Sequence, residues 1–339
     1  MNIIAIARTK TAEYRILNTK ILSIKIALNP YSPPALLFNA HLETIYPSLL
    51  RTVKTPAYQR ERINTPDDDF LDLDWLKQNS TKLVILSHGL EGNTSRAYIR
   101  GMAKAFFDRG FDVLAWNYRG CSEEMNRQIR FYHSGATDDL DAVILHASKT
   151  YREISLVGFS LGGNLTLKYL GERGTTVSPI IKKAIVFSVP MDLHTSCLKI
   201  SHPGNWIYAR RFLASLKKKV SQKAITRNEI DIQGLDRINN LLEFDDRYTA
   251  PIHGFNDALH YYRESSSVGF VQAITIPCVI VSALNDPFLT PECYPAALLR
   301  HHPFVTLETP SRGGHVGFSL FNKNGLYWSE IRALEFIAS

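Results

Sequence analysis

The stretch Glu153 to Leu170, EISLVGFSLGGNLTLKYL, decides the fold, because it reads as a buried strand, a forced sharp turn and then a helix. Ile154, Leu156 and Val157 form an apolar run suited to a strand covered on both faces. The run breaks at Gly158, Phe159, Ser160, Leu161 and Gly162, which is G-x-S-x-G. A hydroxyl at the tip of a strand-to-helix turn sits on a strained backbone, so the residues two before and two after it must lack side chains that would collide. Gly158 and Gly162 meet that requirement. The helix then begins beneath Ser160, and its first N–H groups, Leu161 foremost, point to where an oxyanion would form. The spacing implies a nucleophilic serine.

Outward from this turn the same rhythm continues. Strand Leu83–Leu86, helix Ser95–Asp108, strand Phe111–Trp116, helix Ala136–Ser148 and strand Ala184–Ser188 surround it, and strands alternating with helices predict a parallel sheet covered on both faces. Tyr58 to Leu76 reads as an antiparallel hairpin at the sheet edge, with Asp67, Asp68 and Asp69 as a solvated turn. After Pro190 the alternation stops, and 191–253 reads as a helical cap inserted into a core made of 51–190 and 254–339. It resumes with helix Phe255–Arg263, strand Cys278–Ser282, helix Pro291–His301, strand Phe304–Glu308 and a last helix Leu326–Ile337. With the hairpin, eight strands are expected. Residues 1–50 read as an N-terminal extension that wraps over the surface from the Pro-rich NPYSPP and ends in a short helix.

A serine hydroxyl needs a base within hydrogen-bond reach, itself oriented by a third group. In an open α/β sheet both must come from loops at the carboxyl ends of strands. His315, in SRGGHVGF, follows the last strand, and Gly313 and Gly314 let its loop turn toward the serine. Asp286, in SALNDPF, follows strand Cys278–Ser282. Asp192, just past strand Ala184–Ser188, is a second candidate for the acid, although its position also suits a helix cap. Asp286 is preferred, which gives the chain order Ser160, Asp286, His315. The second oxyanion donor should come from Leu90 in HGLEG, with His88 and Gly89 shaping that loop.

Composition excludes several classes. Hydrophobic residues at 45% and charged residues at 21% argue against disorder or a repeat array. Lys plus Arg exceeds Asp plus Glu by 39 − 32 = 7, spread along the chain, and the run Lys217, Lys218, Lys219 reads as a solvated helix end. No nucleic-acid motif accompanies it. Cys121, Cys197, Cys278 and Cys293 lack C-x-x-C spacing, which suggests reduced thiols; a metal set of His194, Cys197 and His202 is a weak reading. Met1 to Ala27 is interrupted by charges, so neither a membrane span nor a secretory signal is expected there.

Four long stretches carry a resemblance: NAHLETIYPSLLR, SHGLEGNTSRAYIR, NYRGCSEEMNRQIRFYHSGATDDL and FDDRYTAPIHGFNDALHYYRESS. Together with the Ser160, Asp286 and His315 motifs, they resemble the YheT-like branch of the α/β-hydrolase superfamily, which includes medium-chain esterases and acyltransferases of fungi and phospholipid-acting animal relatives. The resemblance implies an α/β-hydrolase fold with an eight-stranded, mostly parallel sheet and an inserted helical cap. It also implies serine carboxylester hydrolase activity in lipid metabolism. Asn117, Arg119, His133 and Ser134, and likewise Asp245 and His253, read as structural clamps, with substrate contact as the alternative. Trp206, Ile207, Tyr208, Phe212 and Leu213 either line an acyl pocket or pack onto the body.

The expectation is therefore an esterase that cleaves short- to medium-chain apolar acyl esters, with a small-molecule ester as its substrate. No cofactor or metal, no nucleic acid and no stable membrane insertion are expected, in a cytoplasmic monomer. An acyltransferase or thioesterase with the same three residues, and a noncatalytic binder on the same scaffold, are the alternatives.

Overall fold

The computed structural model describes residues 31–339. The expected peripheral extension over Met1 to Ala27 lies outside the described residues. The first described helix, α1 (Ala40–Leu50), starts at Asn39, whose side chain accepts from the Leu42 N–H at 2.9 Å. An edge hairpin follows, β1 (Gln59–Asn64) and β2 (Phe70–Leu76), and then the alternating run: β3 (Lys82–Ser87), α2 (Ala97–Phe107), β4 (Asp112–Asn117), α3 (Thr137–Ser148), β5 (Glu153–Phe159), α4 (Leu161–Arg173) and β6 (Ile181–Phe187). Between β6 and β7 (Cys278–Val281) lie α5 (Leu193–Ser201), α6 (Trp206–Ala224), a short turn of helix Leu241–Phe244, a π-helical turn Asp245–Thr249, and α7 (Ala258–Ser265). The chain closes with β8 (Val305–Glu308) and α8 (Trp328–Ile337).

The eight strands form one sheet in the order β1-β2-β4-β3-β5-β6-β7-β8. β1 and β2 run antiparallel to their neighbours, and β3 to β8 run parallel. This is the α/β-hydrolase fold. The strand order reverses at β3, so the carboxyl ends of β3 and β5 lie side by side at the crevice where open sheets bind ligands. Apolar side chains of β3 to β7 and of α4 make the main core, and α4 is buried along nearly its whole length. A separate apolar cluster joins Leu193, Leu213, Val220, Leu241, Phe244 and Tyr261 from the helices between β6 and β7.

Three sequence expectations need correction. The turn between β1 and β2 is solvated at Asp67 and Asp68 but not at Asp69, which is 0% exposed, and the buried Arg119 guanidinium pairs with Asp67 at 2.7 Å, Asp69 at 2.9 Å and Asp139 at 2.7 Å. A buried cation holds its place only with such partners. The lysine run lies within α6 rather than at its end, and while Lys218 is exposed, Lys219 is buried; one turn further on, Lys223 donates to Asn126 and Gln128. The helix expected over Pro291–His301 is broken into a 3₁₀ turn Pro291–Cys293 and a short helix Ala296–Leu299. Pro295 is the reason: it lacks an N–H and forces Tyr294 out of the helical region, to φ −120°, ψ 69°.

The hairpin is fastened by charge. Arg60 faces Asp74 and Arg62 faces Asp72 across the β1–β2 ladder, each through two hydrogen bonds of 2.5 to 3.0 Å. Asn117 at the end of β4 donates to the Asp74 carboxylate at 3.0 Å and to the Asp72 carbonyl at 3.1 Å, so it clamps the hairpin to the parallel part of the sheet.

Candidate active site

Ser160 sits at the junction of β5 and α4 with φ 53° and ψ −119°, a left-handed conformation that a non-glycine residue adopts only under constraint. Its N–H donates to the Phe187 carbonyl at 2.9 Å, which ties the turn to β6. A Cβ on Gly158 would strike the Gly162 carbonyl, and one on Gly162 would strike the carbonyls of Ser87 and His88. The motif's two glycines are thus required by close backbone approach.

His315 reaches the same point from the loop after β8. Its Nε2 lies 2.9 Å from Ser160 Oγ, and its Nδ1 lies 3.1 and 2.9 Å from the two Asp286 carboxylate oxygens. Asp286 is buried, and its Oδ1 also accepts from the Phe288 N–H at 2.9 Å. The Phe288 ring packs 4.3 Å from the imidazole. Asp192, the second candidate, caps α5 by accepting from the Thr195 N–H at 2.9 Å. His315 is therefore paired with Asp286.

The histidine loop is irregular, with positive φ at Gly313, Gly314, Val316 and Phe318. Side chains from distant elements hold it. Thr44 Oγ1 of α1 accepts the His315 N–H at 2.9 Å, Ser188 Oγ accepts the Val316 N–H at 2.9 Å, and Asn285 Oδ1 accepts the Gly314 N–H at 3.1 Å. Glu43 of α1, 0% exposed, accepts from the Gly313 N–H at 2.8 Å and from Asn285 Nδ2 at 2.9 Å, and its second oxygen pairs with Arg312 at 2.5 Å. Sequence reading gave none of these residues a role. NAHLET had been singled out only as a resemblance, and spacing along the chain could not show that it reaches His315.

The loop after β3 runs beside the serine. His88 is fully buried: its Nδ1 donates to the Gly89 carbonyl at 2.8 Å and its Nε2 accepts the Tyr118 N–H at 3.3 Å. Burial pushes its pKa down to about 3, so it stays neutral and shapes the loop. Gly89 N–H donates to Tyr98 Oη at 2.9 Å, Glu91 N–H to Tyr132 Oη at 2.9 Å and Gly92 N–H to the Gly89 carbonyl at 3.0 Å. Leu90 N–H is left without a protein acceptor among the described residues, as is Leu161 N–H at the start of α4. Glu91, at φ 51°, is fixed by its own side chain: Oε1 accepts from Lys219 Nζ at 2.6 Å and Tyr132 Oη at 2.8 Å, and Oε2 accepts from Ser215 Oγ at 2.5 Å. Burial raises the Glu91 carboxyl, yet the Lys219 charge and these donors bring it below its ordinary value; burial likewise disfavours the Lys219 ammonium, and Cys121 and Glu91 keep it above the usual lysine range.

Two cavities share Leu90, Ser160, Phe212 and Phe288 as walls. One, of about 110 Å³, continues along Leu161, Pro190, Leu193, Ile200, Leu216 and Leu241. The other, of about 270 Å³, is lined by His315, Tyr98, Ile207, Tyr208, Arg96 and Arg211. Of the suggested apolar surface on α6, Ile207, Tyr208 and Phe212 face these cavities, Leu213 is buried in the helical cluster, and Trp206 is 57% exposed. The clamp residues hold as well: Ser134 N–H donates to Tyr261 Oη at 3.0 Å, His253 Nδ1 lies 2.6 Å from the Thr249 carbonyl, and Asp245 accepts from Tyr262 Oη at 2.6 Å and Thr249 Oγ1 at 2.5 Å. His133, Ser134 and Asp245 also line the smaller cavity.

A hydrolase family model described as serine aminopeptidase, S33, matches residues 78–294. YheT of Escherichia coli (strain K12) is 34% identical over 292 residues, 83% of this chain and 84% of that protein. The chain belongs to the α/β-hydrolase superfamily, in its YheT-like branch. Phospholipase ABHD3 of Homo sapiens is 29% identical over 303 residues, covering 81% of this chain and 74% of that one. Among solved structures, the esterase Pf2001 of Pyrococcus furiosus superposes with a TM-score of 0.56 at 18% identity, over 85% of this chain and 97% of that one, a likeness of fold.

Among the described residues, no cluster of His, Cys, Asp and Glu could hold a metal ion, and no helix is long and apolar enough to cross a membrane. The four cysteines are buried free thiols, and Cys197 Sγ lies 3.1 Å from Tyr262 Oη within the apolar cluster.

Proposed function

We propose that this carboxylic ester hydrolase acts on short- to medium-chain apolar acyl esters through an acyl-enzyme on Ser160. The observation that carries the reading is the 2.9 Å contact between His315 Nε2 and Ser160 Oγ, continued from Nδ1 to Asp286. His315 takes the Ser160 proton as Oγ attacks the ester carbon, and Asp286 steadies the imidazolium. The oxyanion that forms accepts from the N–H groups of Leu161 and Leu90, each worth roughly 3 kcal/mol in the transition state. His315 then protonates the departing alcohol, and a water activated by the same imidazole releases the acid.

His315 lines only the larger of the two cavities, so the alcohol leaves, and water arrives, on that side. The acyl chain then extends along Leu161 into the smaller cavity, whose Leu193, Ile200, Leu216 and Leu241 suit an alkyl group. In this scheme 191–253 caps the sheet domain and supplies most of the acyl wall. Esters fit better than peptide N-termini. A substrate ammonium needs a free carboxylate, whereas Glu91 is paired with Lys219 and Asp245 is held by Tyr262 and Thr249.

The test is labelling with a fluorophosphonate probe together with hydrolysis of nitrophenyl esters of rising chain length. Wild type should label and turn over, and Ser160→Ala of unchanged fold should do neither. Equal labelling of both proteins, or turnover that survives the substitution, overturns the assignment.

A further inference from the structure

The lysine run of α6 has no place in the reaction described above, yet one of its members ends next to the oxyanion loop. Lys219 is 9% exposed, and its ammonium lies 2.6 Å from the Glu91 carboxylate, 128 residues away in the chain. Ser215, one turn earlier on the same helix, grips the other Glu91 oxygen at 2.5 Å. Glu91 in turn follows Leu90, and every other N–H from Gly89 to Gly92 is already committed to an acceptor. The backbone there is held against its preference, at φ 51°.

We propose that Lys219 and Glu91 are positioning residues that fix the Leu90 N–H in the oxyanion hole and make the docked state of α6 a condition for its formation. The proposal rests on the assignment of Ser160 as nucleophile and Leu90 as donor. A side chain that is anchored at three points, by Lys219, Ser215 and Tyr132, prevents rotation about the Leu90–Glu91 backbone; two of the three anchors come from the helix whose Phe212 and Leu216 line the cavities. Removing the ammonium leaves a buried carboxylate without its cation, which must take up water or move. Either outcome turns the Leu90 N–H away from the developing charge. A substrate lodged under α6 thus sits against the element that completes the hole.

The experiment compares wild type with Lys219→Met, Lys219→Arg, Ser215→Ala and the double variant Glu91→Gln/Lys219→Met. For each, kcat and KM on a medium-chain nitrophenyl ester are measured alongside the inhibition constant of a trifluoromethyl ketone, whose tetrahedral adduct carries an oxyanion. Lys219→Met should lower kcat by roughly 10- to 100-fold with KM nearly unchanged, and should weaken the ketone by the same factor. Lys219→Arg should recover most of both losses, and Ser215→Ala should lose a few-fold of each, which reports on the network even if Lys219→Met does not fold. Variants that fold, melt earlier than wild type and keep wild-type kcat and ketone affinity overturn the proposal, leaving the pair a structural tie. The nucleophile assignment fails separately, by fluorophosphonate labelling that persists in Ser160→Ala.

Discussion

Two loops meet at 2.9 Å in this site, and they are built in opposite ways. The Ser160 turn is supported by backbone: one strand, one helix and two glycines within five residues set its shape, and the carbonyls of Ser87, His88 and Phe187 are its neighbours. The His315 loop has no regular structure of its own and is held by Glu43, Thr44, Asn285 and Ser188 from three other parts of the chain. A strained serine turn can be written locally, because its requirement is a backbone conformation. The position of the histidine is a relation between distant elements and must be held from outside.

The largest expected effect falls on the borrowed side. Asp286→Asn leaves the loop's shape nearly intact but removes the anion that fixes the imidazole tautomer, so kcat should drop on the order of 10⁴-fold with little change in Tm, measured on a nitrophenyl ester and by calorimetry. A loss below tenfold would mean that the loop's supports alone orient His315.

On the backbone-supported side the expected cost is stability. Gly162→Ala drives a methyl into the carbonyls of Ser87 and His88, and backbone cannot yield as side chains do; about 3 kcal/mol should be lost in a urea titration, and fluorophosphonate labelling should vanish. The nearby His88 adds a pH signature. Its folded pKa of about 3 lies below the unfolded value, so the unfolded state binds more protons and stability falls as pH drops below 6.5. Between pH 6.5 and 4.5 this one residue should account for about 2 kcal/mol, seen as a flatter stability curve in His88→Gln than in wild type.

The smallest effect tests the comparison most finely. Glu43→Gln keeps the shape of a side chain that touches neither substrate nor Ser160 but loses the charge paired with Arg312; kcat should fall about tenfold, with the ester KM held within about twofold. Wild-type kcat in a folded Glu43→Gln protein would show that the His315 loop needs less outside support than its contacts indicate.

What could be read in the sequence follows the same division. The Ser160 turn, the eight strands, the hairpin and the convergence of Ser160, Asp286 and His315 were legible because each leaves a local mark: periodicity, a glycine at a fixed offset, or a polar residue just past an apolar run. Asp69, Lys219 and Glu43 were not legible. Each is a charged residue that local pattern assigns to solvent, and each is buried by a partner far away in the chain: Arg119, Glu91 and the His315 loop. Pro295 is the instructive exception. The mark that breaks the helix after Pro291 is local, yet the apolar residues around it made a continuous helix look reasonable.

The helix that accepts the His315 N–H is 271 positions upstream of it, so α1 emerges from synthesis long before the loop it steadies. Every strand of the sheet is laid down in between. The contact between His315 and Ser160 thus joins a turn in the middle of the chain to a loop near its end that α1 holds. That contact therefore depends on the docking of the two ends of the described fold, and a chain in which they have not met holds the imidazole and the hydroxyl apart.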